Sequence, residues 1–232
     1  MKNRIKAISI FILLFIGMFI FSYIPIELFH IDINNMSDKM KIMYQFCCDI
    51  GYMLIVFTLY RIDLVDNFKK YIKNFKKIFS ISVSYYIIGF IIMFISNSVI
   101  AMLFSEATPH NEEAIRDLIS LYPGYMFFST AIYAPFIEEI VFRKSIRDAV
   151  TSFGKNKRIQ YLYIAISGLV FSALHVIGSV TVPLDYLYII PYLGLGCAFA
   201  ALYYKTDNIF STIVLHSLHN TIAIIIYFLV GA

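Results

Sequence analysis

The chain has 232 residues, a formal net charge of +4, 60% hydrophobic residues and only 15% charged ones. A soluble domain is about half apolar and about a quarter charged, so this composition, with a mean hydropathy of +0.76, excludes an ordinary soluble globular protein. The apolar residues are gathered into long runs, and a run of about 18 or more is a membrane-span candidate. The expectation is an all-α, polytopic transmembrane helix bundle forming a single integral-membrane domain over 1–232.

In chain order, Lys2, Arg4 and Lys6 precede an apolar run from Ala7 to about Pro25. This has the outline of a signal peptide, but the run is long and no small-x-small cleavage site follows, so it reads as a retained first span. Seven spans are predicted, at about 7–27, 41–60, 78–104, 122–146, 160–181, 186–204 and 209–230. Arg61, Lys69, Lys70, Lys73, Lys76 and Lys77 follow the second span; Arg143, Lys144, Arg147, Lys155, Lys157 and Arg158 follow the fourth; Lys205 precedes the seventh. With the three N-terminal cations, 16 of the 19 Lys and Arg fall on one side, leaving Lys39, Lys41 and Arg116 on the other. The positive-inside rule then places the N-terminus in the cytoplasm and the C-terminus outside.

The segment NFKKYIKNFKK interleaves aromatic and basic residues. It reads as a cytoplasmic loop against anionic lipid rather than a nucleic-acid surface. No internal repeat of the kind common in transporters is visible. Cys47, Cys48 and Cys197 lie in apolar runs, and the adjacent pair is poorly placed to bridge, so no disulfide framework is expected.

Ionisable residues inside spans are functional candidates. Here they are Asp49, Glu138, Glu139, Arg143, His175, His216 and His219, whereas His30 and His110 fall in outside loops and read as surface residues. Glu139 and Arg143 are four apart, the spacing of a helical ion pair. Arg143 also suits the cytoplasmic end of the span. Glu138 lies about 100° around an α-helix from Glu139, which sets it apart from that pair as an unpaired carboxyl, the residue type a general acid or base requires. Pro135 has no N–H and would free the carbonyl of Ala131 in an α-helix, opening the helix beside Glu138. His216 and Asn220 share a face and can both donate hydrogen bonds towards one point, as an oxyanion hole requires. Phe171 and His175 also share a face. His219 points about 60° away from His216 on an α-helical wheel and reads as a supporting or packing residue. Asp49 has no partner evident in the sequence and reads as a structural, bundle-facing carboxyl.

Three motifs now stand on separate spans in order: EEIVFR at Glu138–Arg143, FSALH at Phe171–His175 and HSLHN at His216–Asn220. They resemble the EExxxR, FxxxH and HxxxN motifs of the CPBP family of intramembrane proteases, which is named for CAAX proteases and bacteriocin-processing enzymes and is also called the Abi family. The motif-bearing core is about 122–230; the first three spans carry no such motif. The resemblance implies an intramembrane endopeptidase in which Glu138 and His175 activate water. It also implies that His216 and Asn220 stabilise the oxyanion and that Glu139 and Arg143 hold the site's shape. Both a metal-free glutamate mechanism and a zinc mechanism are compatible with it. No HExxH is present, no cofactor is favoured, and zinc, if used, would take Glu138, His175 and His216. No GxSG serine motif or GxGD aspartate motif is present.

The implied partners are the lipid bilayer and a peptide or protein substrate entering from the membrane or cytoplasmic side, with no nucleic acid. The abundance of Ile, Lys, Asn and Tyr without Trp suggests an AT-rich bacterial genome, a bacterial cell membrane, and a peptide precursor such as a pheromone or bacteriocin leader; prenylated CAAX proteins are the alternative substrate class. Two rival functions use the same residues: a proton-coupled transporter with the buried carboxyl and histidines as a relay, and a non-catalytic bacteriocin-immunity or scaffold protein. The protease reading also carries one geometric condition. Counted from the predicted span ends at about 1.5 Å per residue, Glu138 and His216 lie roughly 10–12 Å deep but His175 nearer 20 Å. The protease reading requires the three to meet.

Overall fold

The structure, a computed structural model, describes residues 2–104, 110–154, 156–180 and 182–230. Among the described residues all regular structure is helical. Seven helices among them are long and apolar enough to cross a membrane: Asn3–Ile20, Asp38–Lys73, Phe75–Leu103, Pro123–Thr151, Lys157–Ser179, Pro183–Thr206 and Phe210–Leu229. They are called the first to seventh spans below.

The second span departs most from expectation. It runs to Lys73, and only Asn74 separates it from the next helix, which starts at Phe75. The basic NFKKYIKNFKK segment is therefore helix, not loop. It contains no Gly or Pro, and lysine is a good helix former. Leu64 and Tyr71, seven apart on one face, are buried. Phe68 and Tyr71 pack on Phe210 of the seventh span, with ring centroids 5.3 and 6.4 Å away. The connection before the fourth span likewise contains a helix, His110–Leu121, so His110 begins a helix rather than lying in a loop. Lys155, counted above among the cytoplasmic cations, lies outside the described residues.

The basic ends of the spans gather at one end of the bundle. Arg4 donates to the carbonyl of Ser152 at 3.4 Å. Lys144 bridges Asp63 and Asp148 at 2.8 and 3.3 Å, and Arg147 pairs with Asp207 at 2.7 Å. At the turn between the sixth and seventh spans Asp207 takes a left-handed conformation. There Asn208 donates to the Asn67 carbonyl at 2.8 Å and the Ile209 N–H donates to Asn67 Oδ1 at 3.0 Å.

The fourth span is the hub. Ile137, Ile140, Val141, Phe142 and Ile146 form one core with Val56, Leu64, Tyr163, Phe171 and Ile213. The fifth and sixth spans cross closely where Gly168 meets Gly196: a Cβ on Gly168 would lie 2.4 Å from Cys197 Sγ, and one on Gly196 would lie 3.2 Å from the Gly168 Cα. Small residues allow this approach of membrane helices. It brings Phe171, one turn beyond Gly168, against the fourth span.

The fourth span is not a uniform α-helix. Ser129–Tyr133 and Glu139–Ser145 are π-helical and flank a short α segment, Ala134–Glu138. The Ala134 N–H reaches back five residues to the Ser129 carbonyl. In that register the next rung would run from residue 135 to Thr130, and residue 135 is proline. The carbonyl that Pro135 leaves free is therefore that of Thr130, not Ala131 as α-helical geometry predicts.

Candidate active site

Glu138, His175 and His216 come from three spans and meet. Glu138 Oε2 lies 3.9 Å from Nε2 of His175 and 3.9 Å from Nε2 of His216. The depth mismatch in the sequence count arises because the helix ends are not coplanar. The fourth helix continues to Thr151, five residues past the predicted end, which puts Glu138 about 20 Å from its terminus. The seventh span starts deep, because its leading turn is tied to Asn67, six residues before the end of the second helix.

The second nitrogen of each imidazole is fixed. His175 Nδ1 lies 2.8 Å from the Phe171 carbonyl one turn earlier. A carbonyl only accepts, so Nδ1 carries the hydrogen and Nε2 of the neutral ring presents a lone pair towards Glu138. This gives the Phe–x–x–x–His spacing a physical meaning: the phenylalanine supplies both the anchoring carbonyl and a ring 4.2 Å from the imidazole. Tyr192 packs on the imidazole too, its ring 4.8 Å away. His216 Nδ1 lies 2.8 Å from Glu139 Oε1, and Glu139 Oε2 lies 3.1 Å from Arg143 Nε.

Glu139 and Arg143 are 0% exposed. The expected (i, i+4) pair is thus present, but Arg143 is not at a cytoplasmic helix end: it is buried eight residues before Thr151. Its guanidinium lies over the Phe171 ring, 4.2 Å from the centroid, which compensates part of its desolvation.

Among the described residues Glu138 Oε2 makes no hydrogen bond, and it stands apart from the ion pair. The two glutamates flank one imidazole: Glu139 bonds Nδ1 at 2.8 Å, and Glu138 faces Nε2 at 3.9 Å. The two ring nitrogens point in divergent directions, and the π-helical stretch beginning at Glu139 changes the angular step between residues, so neighbouring side chains converge on a single ring. Glu138 and His175 retain some access, with side chains 16% and 21% exposed. A polar cavity of about 480 Å³ at the basic end of the bundle is lined by Asp63, Lys144, Arg147, Asp148, Tyr203 and Asp207, among others, and by none of Glu138, His175 or His216.

Asn220 donates from Nδ2 to the Thr130 carbonyl at 2.8 Å, a contact the sequence did not suggest. His219 faces the third span, where its Nδ1 is 2.9 Å from the Tyr86 hydroxyl and its ring packs beside Phe90. Asp49, without an evident partner in the sequence, is held by Gln45 at 2.8 Å and by the Tyr125 hydroxyl at 3.0 Å. Among the described residues no group of three or more His, Cys, Asp or Glu side chains is arranged to hold a metal ion.

The part of the sequence that carries this site is similar to known membrane peptidases. Residues 120–222 match the family model described as type II CAAX prenyl endopeptidase Rce1-like. It is 28% identical over 147 residues to "Membrane-embedded CAAX protease MroQ" of Staphylococcus aureus (strain USA300), covering 60% of this chain and 56% of that protein. It is 30% identical over 116 residues to "Putative membrane peptidase YdiL" of Bacillus subtilis (strain 168), covering 50% of this chain and 42% of that protein. The chain thus spans about half the length of the curated relatives it matches. No solved structure matches it.

Proposed function

We propose that this protein is an intramembrane endopeptidase of the bacterial cell membrane, with its basic face in the cytoplasm. The observation that carries the reading is the position of Glu138 Oε2, 3.9 Å from the free nitrogens of two histidines whose other nitrogens are already engaged. Two acceptors that far apart suit a single water between them, donating one hydrogen to Glu138 and one to His175.

In the proposed reaction the water oxygen forms a bond to the scissile carbonyl carbon and passes its proton to Glu138. The carbonyl π pair moves onto oxygen. The oxyanion is met by His216 Nε2 and by the second hydrogen of the Asn220 carboxamide. Nε2 donates only when both ring nitrogens carry hydrogen; the Nδ1 hydrogen is directed at Glu139. Collapse of the tetrahedral intermediate breaks the C–N bond, and Glu138 returns the proton to the leaving amine. Glu139 and Arg143 fix His216 and do not touch the substrate.

The substrates we propose are membrane-associated peptides or proteins, either CAAX-type termini, as the family description suggests, or pheromone and bacteriocin precursors. The test is comparative peptidomics of cells carrying the wild type or Glu138→Gln, with membrane insertion checked in parallel. Products that vanish with Glu138→Gln while the protein still inserts support the reading. An unchanged product profile refutes it, and substrate flux without cleavage in proteoliposomes would support a transporter instead.

A further inference from the structure

We infer that Asn220 acts on the reaction through the fourth span: its carboxamide replaces the backbone N–H that Pro135 lacks, and so holds the widened turn that presents Glu138. The inference rests on the protease reading for its catalytic consequence, but its structural half stands alone.

The Ala134 N–H bonds to Ser129, which fixes the five-residue register of the turn. The next donor in that register would be residue 135, and its acceptor would be Thr130. Proline cannot donate. A buried or membrane-embedded carbonyl without a donor is costly, since no bulk water reaches it. The seventh span supplies the donor: Asn220 Nδ2 lies 2.8 Å from the Thr130 oxygen. One carboxamide hydrogen is thereby committed to the fourth span. This bond also orients the carboxamide plane, and with it the second hydrogen assigned above to the oxyanion. Asn220 and His216 lie one turn apart on the seventh span. Thr130 lies two turns before Glu138 on the fourth. The two helices are therefore tied at two levels, by Asn220 to Thr130 and by His216 to Glu139, with Glu138 between them. Asn220 is by this account a positioning residue first, and Pro135 and Asn220 form one functional unit.

A double-mutant cycle tests this. Alanine at position 135 restores an N–H, and in either the four- or the five-residue register the Thr130 carbonyl then has a backbone donor. Wild type, Asn220→Ala, Pro135→Ala and the double variant are purified in detergent. The values of kcat and KM are measured on a prenylated peptide ending in a CAAX sequence, and thermal unfolding is followed on the same samples. In the native background Asn220→Ala is expected to lower kcat roughly tenfold or more, with KM little changed, because it removes the side-chain donor to a part-buried carbonyl. In the Pro135→Ala background the same change is expected to cost at least about fivefold less. Asn220→Asp, whose carboxylate cannot donate to a carbonyl, is expected to behave like Asn220→Ala. Penalties that multiply, with the same loss in both backgrounds, would assign Asn220 to the oxyanion alone and overturn the inference.

The unfolding arm decides independently of catalysis. A loss of Tm on Asn220→Ala that shrinks in the Pro135→Ala background supports the tie, and an equal loss in both refutes it. Activity retained by Glu138→Gln, or no cleavage by wild type, would count against the protease reading and leave that arm to decide.

Discussion

Arg143→Met is the sharpest single test of how the site is held. The guanidinium and the Glu139 carboxylate are both 0% exposed and 3.1 Å apart. At an effective dielectric constant near 20, such a pair attracts by about 5 kcal/mol. Methionine fills much of the volume but removes the guanidinium from Glu139, leaving it the neighbouring His216 and Thr212. Breaking one half of a buried pair costs about 3–5 kcal/mol, because the remaining charge is uncompensated. In a chain of this size that corresponds to a Tm lowered by roughly 6–20 °C. The assay is thermal unfolding in detergent micelles, with exposed Cys47 replaced by alanine in every variant and a thiol-reactive dye reporting as buried Cys48 becomes accessible. Arg143→Lys keeps the charge but loses the flat face that lies on Phe171, and is expected between methionine and wild type. Glu139→Gln with Arg143→Met removes both charges and should recover more than half of the loss. The reasoning fails if Arg143→Met unfolds within about 2 °C of wild type, or if the double variant is no more stable than the single one.

Gly168→Ala should destabilise by about 1–3 kcal/mol through overpacking against Cys197 Sγ. Adding Cys197→Ala should return most of that stability, measured by the Tm of both variants in micelles with a dye-free probe such as circular dichroism. Asn67→Ala leaves the buried Ile209 N–H without its side-chain acceptor. It should cost about 1–3 kcal/mol, and hydrogen exchange should rise first at the turn between the sixth and seventh spans. Tyr125→Phe and Asp49→Leu should each lower Tm, while the combination costs less than their sum, because Asp49 Oδ2 and the Tyr125 hydroxyl satisfy one another; strict additivity would contradict that pairing.

The seven spans were legible because each holds a long apolar run, and the Glu139–Arg143 pair was legible because both partners lie on one helix. The span ends were less so. Lys69 to Lys73 look like a loop by charge, yet Leu64 and Tyr71 carry the helix onward by burying one face. The fourth span was misjudged for a different reason: residue spacing does not reveal hydrogen-bond register, so Pro135 pointed to the wrong carbonyl. What joins separate helices was hidden as well. Nothing in HSLHN says that Asn220 reaches Thr130 or that His219 reaches Tyr86. Asp49 seemed alone because one of its two partners, Tyr125, is 76 residues away. Within-helix partners can be counted from sequence; between-helix partners depend on crossing geometry, as at Gly168 and Gly196, which the motifs do not encode.

The row Arg143, Glu139, His216, Glu138, His175 alternates basic and acidic groups along its whole length. In the proposed reaction the proton that Glu138 takes from water and returns to the leaving amine never leaves the site, so the total charge there is unchanged. Transferring a net charge into hydrocarbon is costly, and moving one inside an alternating row is much less so. A site built this way can therefore run an acid–base cycle without drawing an ion from either face of the membrane, and its turnover should be indifferent to the transmembrane voltage.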